Sequence, residues 1–139
     1  NPGANDVAPG KRPRSSMAPT IVFDDKERPW AVLGSPGGSR IILYVTKALV
    51  ALIDWKVDAH QATALMNFGS RGGAFEIEVD HASAIWHALK MKPYGHRVSA
   101  DLLTSGTHII VRRSDDTLEG GADPRREDRQ VEGRPGPAR

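Results

Sequence analysis

Alternation and helical periodicity divide the chain into short elements. Thr20-Ile21-Val22-Phe23 and Trp30-Ala31-Val32-Leu33 are two β-rich runs separated by the charged stretch Asp24-Asp25-Lys26-Glu27-Arg28, which predicts a β-hairpin. From Arg40 to Trp55 apolar residues occupy most positions around a helix, with Arg40, Lys47 and Asp54 the only charges, so a buried helix is expected. Asp58 to Met66 reads as a second helix capped by Asp58. Ala74 to Asp80 alternates, with Phe75, Ile77 and Val79 on one face and Glu76, Glu78 and Asp80 on the other. That is the pattern of a strand with one solvated face. His81 to Lys92 forms a helix carrying Ile85, Trp86 and Leu89, ended by Pro93. His96–Ser99, His108–Arg112 and Leu118–Ala122 supply further short strands, the last two separated by a turn at Asp115-Asp116. Hairpin, two helices, strand, helix and several strands make an α+β fold, with helices layered on a mostly antiparallel sheet.

Composition narrows the function classes. Residues 1–125 are expected to form one domain, while residues 126–139, almost wholly charge, Gly and Pro, read as a flexible charged tail. No apolar run is long enough to span a bilayer, because Ile41–Ile53 is too short and carries Lys47. The polar, Pro/Gly-rich start is not a signal peptide, and without an initial Met the true N-terminus is expected further upstream. With no cysteine there is no disulfide, thiolate zinc site or cysteine nucleophile. A formal charge of +2, with acids interleaved among the arginines of the tail, argues against a nucleic-acid partner.

Two stretches carry candidate chemistry. In Gly34-Ser35-Pro36-Gly37-Gly38-Ser39-Arg40 a strand runs into a sharp turn and then a helix. Pro36 presets one φ angle, and Gly37 and Gly38 reach conformations closed to residues with a Cβ. Ser39 is placed to cap the helix. The turn's N–H groups can hold a carboxylate, a phosphate or an oxyanion, or the glycines can serve the turn alone. Ser15-Ser16, among Lys11, Arg12 and Arg14 and between Pro13 and Pro19, offers either a small anion site or a polar loop. Glu76, Glu78 and Asp80 have the chemistry of a hard-cation site, but a solvated strand face is the expectation. His81 and His87, six apart, share no helical face, and neither a metal nor any other cofactor is expected.

Three segments then resemble a known family. Pro9-Gly10-Lys11-Arg12-Pro13-Arg14-Ser15-Ser16-Met17-Ala18-Pro19-Thr20 is similar to the PGKRPLSSMSPT signature of gamma-glutamyltransferases. Gly34-Ser35-Pro36-Gly37-Gly38-Ser39-Arg40-Ile41 matches the family's GSPGGSRI, and Gly121-Ala122-Asp123-Pro124-Arg125 resembles its C-terminal DPR segment. The order and spacing are the family's, from about Asn5 to Arg125. The resemblance implies part of the αββα sandwich of N-terminal-nucleophile hydrolases. In that family a threonine attacks a gamma-glutamyl amide such as glutathione and passes the acyl group to water, or to an amino-acid or peptide acceptor. It further implies that Ser15 and Ser16 hold the substrate's α-carboxylate, that Gly37 and Gly38 form the oxyanion hole, and that the enzyme is periplasmic or secreted.

The departures are equally specific. The family's threonine nucleophile and its groups for the α-amino end lie upstream of the serine motif, and its substrate-clamping arginine belongs to the large subunit. None has a counterpart here. Thr107-His108 follows the glycines and is in the wrong place for the nucleophile. Arg14 stands where leucine is usual, and Ala18 where serine is usual. The expectation is therefore the C-terminal part of a small subunit, inactive alone, whose partner is the missing N-terminal and large-subunit portion. The alternatives are a fragment of a cephalosporin or glutaryl acylase, and a non-catalytic module that binds a small carboxylate.

Overall fold

The computed structural model describes residues 3, 6–12 and 15–126. Arg14 and the tail beyond Arg126 lie outside the described residues. The hairpin forms as the sequence predicts, from β1 (Thr20–Phe23) and β2 (Pro29–Gly34), with Thr20 opposite Leu33 and Ile21 opposite Val32. Its charged turn is built around Asp24, whose Oδ1 accepts the Lys26 and Arg28 N–H groups. Glu27 takes a left-handed φ of 58° there.

β2 pairs on its other edge with β6 (His108–Arg112), and β6 pairs with β7 (Leu118–Ala122), both antiparallel. The resulting sheet has the order β1-β2-β6-β7. A second sheet joins β3 (Phe68–Gly69), β4 (Phe75–Glu78) and β5 (Val98–Asp101) in that order. β4 and β5 are parallel, connected through α3 (Ala84–Met91). Antiparallel pairing dominates, as expected, with this one crossover unit as the exception.

The core lies between the four-stranded sheet and two helices, α1 (Ile41–Ile53) and α2 (Ala59–Ala64). Alternation sends Ala31, Leu33, Ile109 and Val111 inward, where they meet Val45, Ala48, Ala51 and Leu52 of α1. Each fully buried Leu, Ile or Val contributes about 1.5–3 kcal/mol. Small residues let α2 approach closely: a Cβ on Gly121 would overlap the Ala59 carbonyl. Asp58 caps α2 as predicted, its Oδ1 accepting the Gln61 N–H at 2.6 Å. α1 ends where Lys56 turns left-handed at φ 55° and Val57 N–H donates to the Ala51 carbonyl.

The packing corrects two expectations, for α1 and β4, and decides one point the pattern left open, for α3. α1 is not covered all round: Ile42, Thr46 and Ile53 form an outward stripe, with Ile42 55% exposed. On α3, Ala84 and Ala88 face the sheet while Ile85, Trp86 and Leu89 stay exposed. The acidic face of β4 is not solvated, because arginines from distant segments fold over it.

The outer face of the four-stranded sheet is also apolar. Ile21, Val32 and Ile110 stand opposite one another in a single row across three strands and are exposed.

Candidate functional site

The glycine turn joins β2 to α1 through a single 3-10 turn, Gly38–Arg40. Gly37 has φ 144° and Gly38 φ 57°, both in the region that favours glycine. The two glycines are required for different reasons. A Cβ on Gly37 would stand 2.5 Å from Cε2 of the Tyr44 ring, whereas Gly38 faces open space and needs glycine for its backbone angle. Arg40 N–H closes the turn on the Gly37 carbonyl at 3.1 Å. Among the described residues, the N–H groups of Gly37 and Gly38 donate to no protein acceptor.

The hairpin register sends the serines off the same end of the sheet as the glycines. Ser16 lies four residues before Thr20, and Gly37 four residues after Leu33, which is the partner of Thr20. Both pairs therefore leave the same end of the sheet. Ser15 is exposed, its Oγ accepting the Met17 N–H at 3.3 Å, and Ser16 is half-buried. No hydrogen bond joins the serines to the glycines among the described residues. Beside the turn the outer sheet face dips into a shallow depression lined by Val32, Gly34, Ser35, Pro36, Gly106 and Ile110.

Ser39 does not cap α1, which has no side-chain cap at its start. Its hydroxyl instead accepts from Arg71 Nη1 at 2.5 Å, and Arg71 Nη2 reaches Glu76 Oε1, also at 2.5 Å. Arg40 Nε donates to Glu76 Oε2 at 2.8 Å, and its Nη2 to Asp101 Oδ2 at 2.6 Å. These hydrogen bonds, Arg40 first and then Arg71, hold the Glu76 carboxyl down at about 2. Sequence reasoning missed this cluster because its hydrogen-bonded partners are up to 61 residues apart.

A second cluster lies inside the fold and uses the third motif. Arg125 grips both oxygens of Glu78, Nη2 reaching Oε2 at 2.7 Å and Nε donating to Oε1. It also donates to Asp123 Oδ1 at 3.1 Å and to the carbonyls of Thr63 and Leu65. Asp123 is fully buried. Burial alone would raise its carboxyl, but hydrogen bonds from Ser105 and from the Arg125 and Thr107 N–H groups outweigh that and lower it. Asn67 connects the parts, donating from Nδ2 to the Leu103 carbonyl and to Ser105 Oγ, and accepting from Lys47 Nζ at 2.9 Å. Burial, with Arg125 nearby, pulls Lys47 down to about 8. Asp123-Pro124-Arg125 is therefore structural: it locks the chain after β7 under α2 and β4. Thr107 belongs to this buried cluster through its N–H bond to Asp123 Oδ2.

The described residues hold no group of three or more His, Asp or Glu side chains placed for a metal. Glu76 and Glu78 are each committed to arginines.

Comparison with known proteins gives the family and the fold. The gamma-glutamyltranspeptidase family profile matches residues 1–133. A glutathione hydrolase proenzyme of Escherichia coli is 37% identical over 122 residues, which are 88% of this chain and 21% of that protein. The acylase ACY 1 proenzyme of a Pseudomonas species (strain SE83) is 34% identical over 88% of this chain and 22% of its own length. The chain thus spans about a fifth of the length of these relatives. The structure of the gamma-glutamyltranspeptidase from Pseudomonas nitroreducens, complexed with L-DON, superposes with a TM-score of 0.78 at 25% identity, covering 96% of this chain and 70% of that one. The layered helices and sheets are therefore part of an αββα N-terminal-nucleophile hydrolase sandwich. This chain belongs to the gamma-glutamyltranspeptidase family.

Proposed function

We propose that this chain is the part of a gamma-glutamyltransferase, or glutathione hydrolase, that binds the substrate's α-carboxylate and stabilises the reaction's oxyanion. The observation that carries this reading is the pair of glycine N–H groups, Gly37 and Gly38, without protein acceptors among the described residues and at the sheet end where Ser15 and Ser16 arrive. Serine hydroxyls and main-chain N–H groups suit a carboxylate. Glycine N–H groups suit the charge that develops on a carbonyl oxygen under attack, and one such donor is worth about 3 kcal/mol of barrier.

The nucleophile, a threonine by family resemblance, comes from outside these residues. It adds to the gamma-glutamyl carbonyl, and the tetrahedral oxyanion lies against Gly37 and Gly38. Collapse expels the amine, and water or an amino-acid or peptide acceptor then takes the acyl group. The outer sheet face with Ile21, Val32 and Ile110 is where the second sheet of the sandwich packs in this reading. Alone, the 139-residue chain has no gamma-glutamyl transfer activity.

A chimera tests the reading. This chain replaces the matching segment of the E. coli glutathione hydrolase proenzyme, and turnover of a gamma-glutamyl anilide is measured. The chimera is expected to be active, and Gly37→Ala, whose Cβ would collide with the Tyr44 ring and turn the retained N–H away, to lower kcat by about a hundredfold or more. Full activity in a Gly37→Ala, Gly38→Ala double variant overturns it, and so does turnover by the pure chain that disappears with these substitutions. The acylase relative favours a second reading, glutaryl amides as substrates. Ser15-Ser16 favours the glutamyl α-carboxylate, and competition between glutathione and a glutaryl amide in the chimera separates the two.

A further inference from the structure

The ion-pair cluster behind the glycine turn has no place in the oxyanion reading as it stands. Ser39 and Arg40 directly follow Gly37 and Gly38; the Arg40 side chain reaches across to the three-stranded sheet, and Ser39 meets Arg71 from the loop between β3 and β4. Glu76 on β4 and Asp101 on β5 belong to adjacent parallel strands, so the Arg40 guanidinium is tied to two strands at once. Charge-assisted bonds of this kind are stronger than neutral ones and, through the fixed fork of a guanidinium, directional. Two cations and two anions leave the cluster neutral, so it adds little net charge to attract a substrate carboxylate. Its consequence is mechanical.

Gly37 and Gly38 need such a hold. Glycine has the widest backbone freedom of any residue, and the two hydrogen bonds across the turn, Arg40 N–H to the Gly37 carbonyl and Ile41 N–H to the Gly38 carbonyl, hold the glycines' carbonyls rather than their N–H groups. Tyr44 limits Gly37 from one side, and nothing flanks the position of a Gly38 side chain. Oxyanion stabilisation depends on donors whose directions are set before the reaction begins. We propose that Arg40 is a positioning residue: gripped by Glu76 and Asp101, it fixes the directions of the Gly37 and Gly38 N–H groups. The three-stranded sheet thereby governs an anion site that it does not line. This deepens the function proposed above and rests on it.

Backbone ¹⁵N relaxation of the 139-residue chain reads the clamp directly. Gly37 and Gly38 are expected to have order parameters near about 0.85, falling below about 0.6 in Arg40→Met. Gly120, in the four-stranded sheet, is expected to stay unchanged. Arg40→Lys, which keeps a cation for Glu76, restores part of the order. Unchanged glycines in Arg40→Met overturn the proposal, whatever the glycines bind. If Gly120 also loosens, the variant is globally destabilised. Glu76→Gln, which keeps the side chain's shape, then takes its place with the same two outcomes. In the active chimera, Arg40→Met is expected to lower kcat by about tenfold to a hundredfold with KM within about twofold, since misplaced groups cost rate at this scale. Glycines that loosen while kcat holds leave the clamp standing and overturn the oxyanion reading instead.

Discussion

Glu76 and Glu78 stand two residues apart on one strand, carry the same charge, and each meets arginine, yet they do different work. Glu78 is 6% exposed and is enclosed with Arg125, Asp123, Asn67 and Lys47 in a polar core. Glu76 lies at the rim, joined to Arg40 and Arg71, the latter 39% exposed at its side chain. Burial makes the inner cluster obligatory for folding, because each member left alone would be an uncompensated group in a low dielectric. The outer cluster is wetted and worth less in stability, so its effect is on where a turn points. One strand thus supports the fold with one carboxylate and aims the candidate site with the other.

The sharpest way to break this contrast is Arg125→Met, which leaves Glu78 and Asp123 without their cation. A loss of about 3–5 kcal/mol is expected, read as a fall in the urea midpoint. Lys47 comes next. Its pKa in the folded chain, about 8, lies below the ordinary 10.5. Between those values the unfolded chain binds more protons, so stability rises with pH across that window. Relative to Lys47→Met, the wild-type chain is expected to gain about 3 kcal/mol from pH 7 to above pH 10, measured by denaturant melts.

At the turn, Gly37→Ala must push against Tyr44 and is expected to cost about 1–3 kcal/mol beyond the about 1 kcal/mol of Gly38→Ala. Equal losses would mean that the ring yields and that only backbone angles matter. The smallest effect belongs to Arg71→Ala. It is expected to change stability by less than about 1 kcal/mol. It also moves the Glu76 carboxyl from about 2 towards its ordinary 4.5, a shift that NMR titration of the side chain resolves.

What the sequence disclosed follows the range of the interactions. The hairpin, the Asp58 cap and the strand at His108–Arg112 depend on neighbours a few residues away, and all three form as the local pattern predicts. The Gly37-Gly38 turn was legible for the same reason, since angles and nearby packing set its demands. The acidic face of β4 was misread because alternation reports only that one face is polar. It cannot report that Arg40 arrives from 36 residues before Glu76, or Arg125 from 47 residues after Glu78. Ser39 failed as a cap because the 3-10 turn Gly38–Arg40 draws it inside the helical run, where its hydroxyl accepts from Arg71, 32 residues away. Met66, Ile77 and Ala84 fill the small core beside α3, so Ile85 and Leu89, one helical turn apart, are left facing outward.

The β1–β2 hairpin also bears on which changes to the chain can be tolerated over evolution. Its two ends are not equivalent. At the closed end, Asp24–Arg28 can lengthen or shorten without touching the pairing of Thr20 with Leu33. At the open end, the count of residues before Thr20 and after Leu33 acts as a ruler for the distance between the serine and glycine pairs. Deleting one residue there shortens the reach of the serine segment by up to about 3.3 Å. Insertions and deletions among functional descendants of this chain should therefore gather in the charged turn and be absent from 16–20 and 33–37.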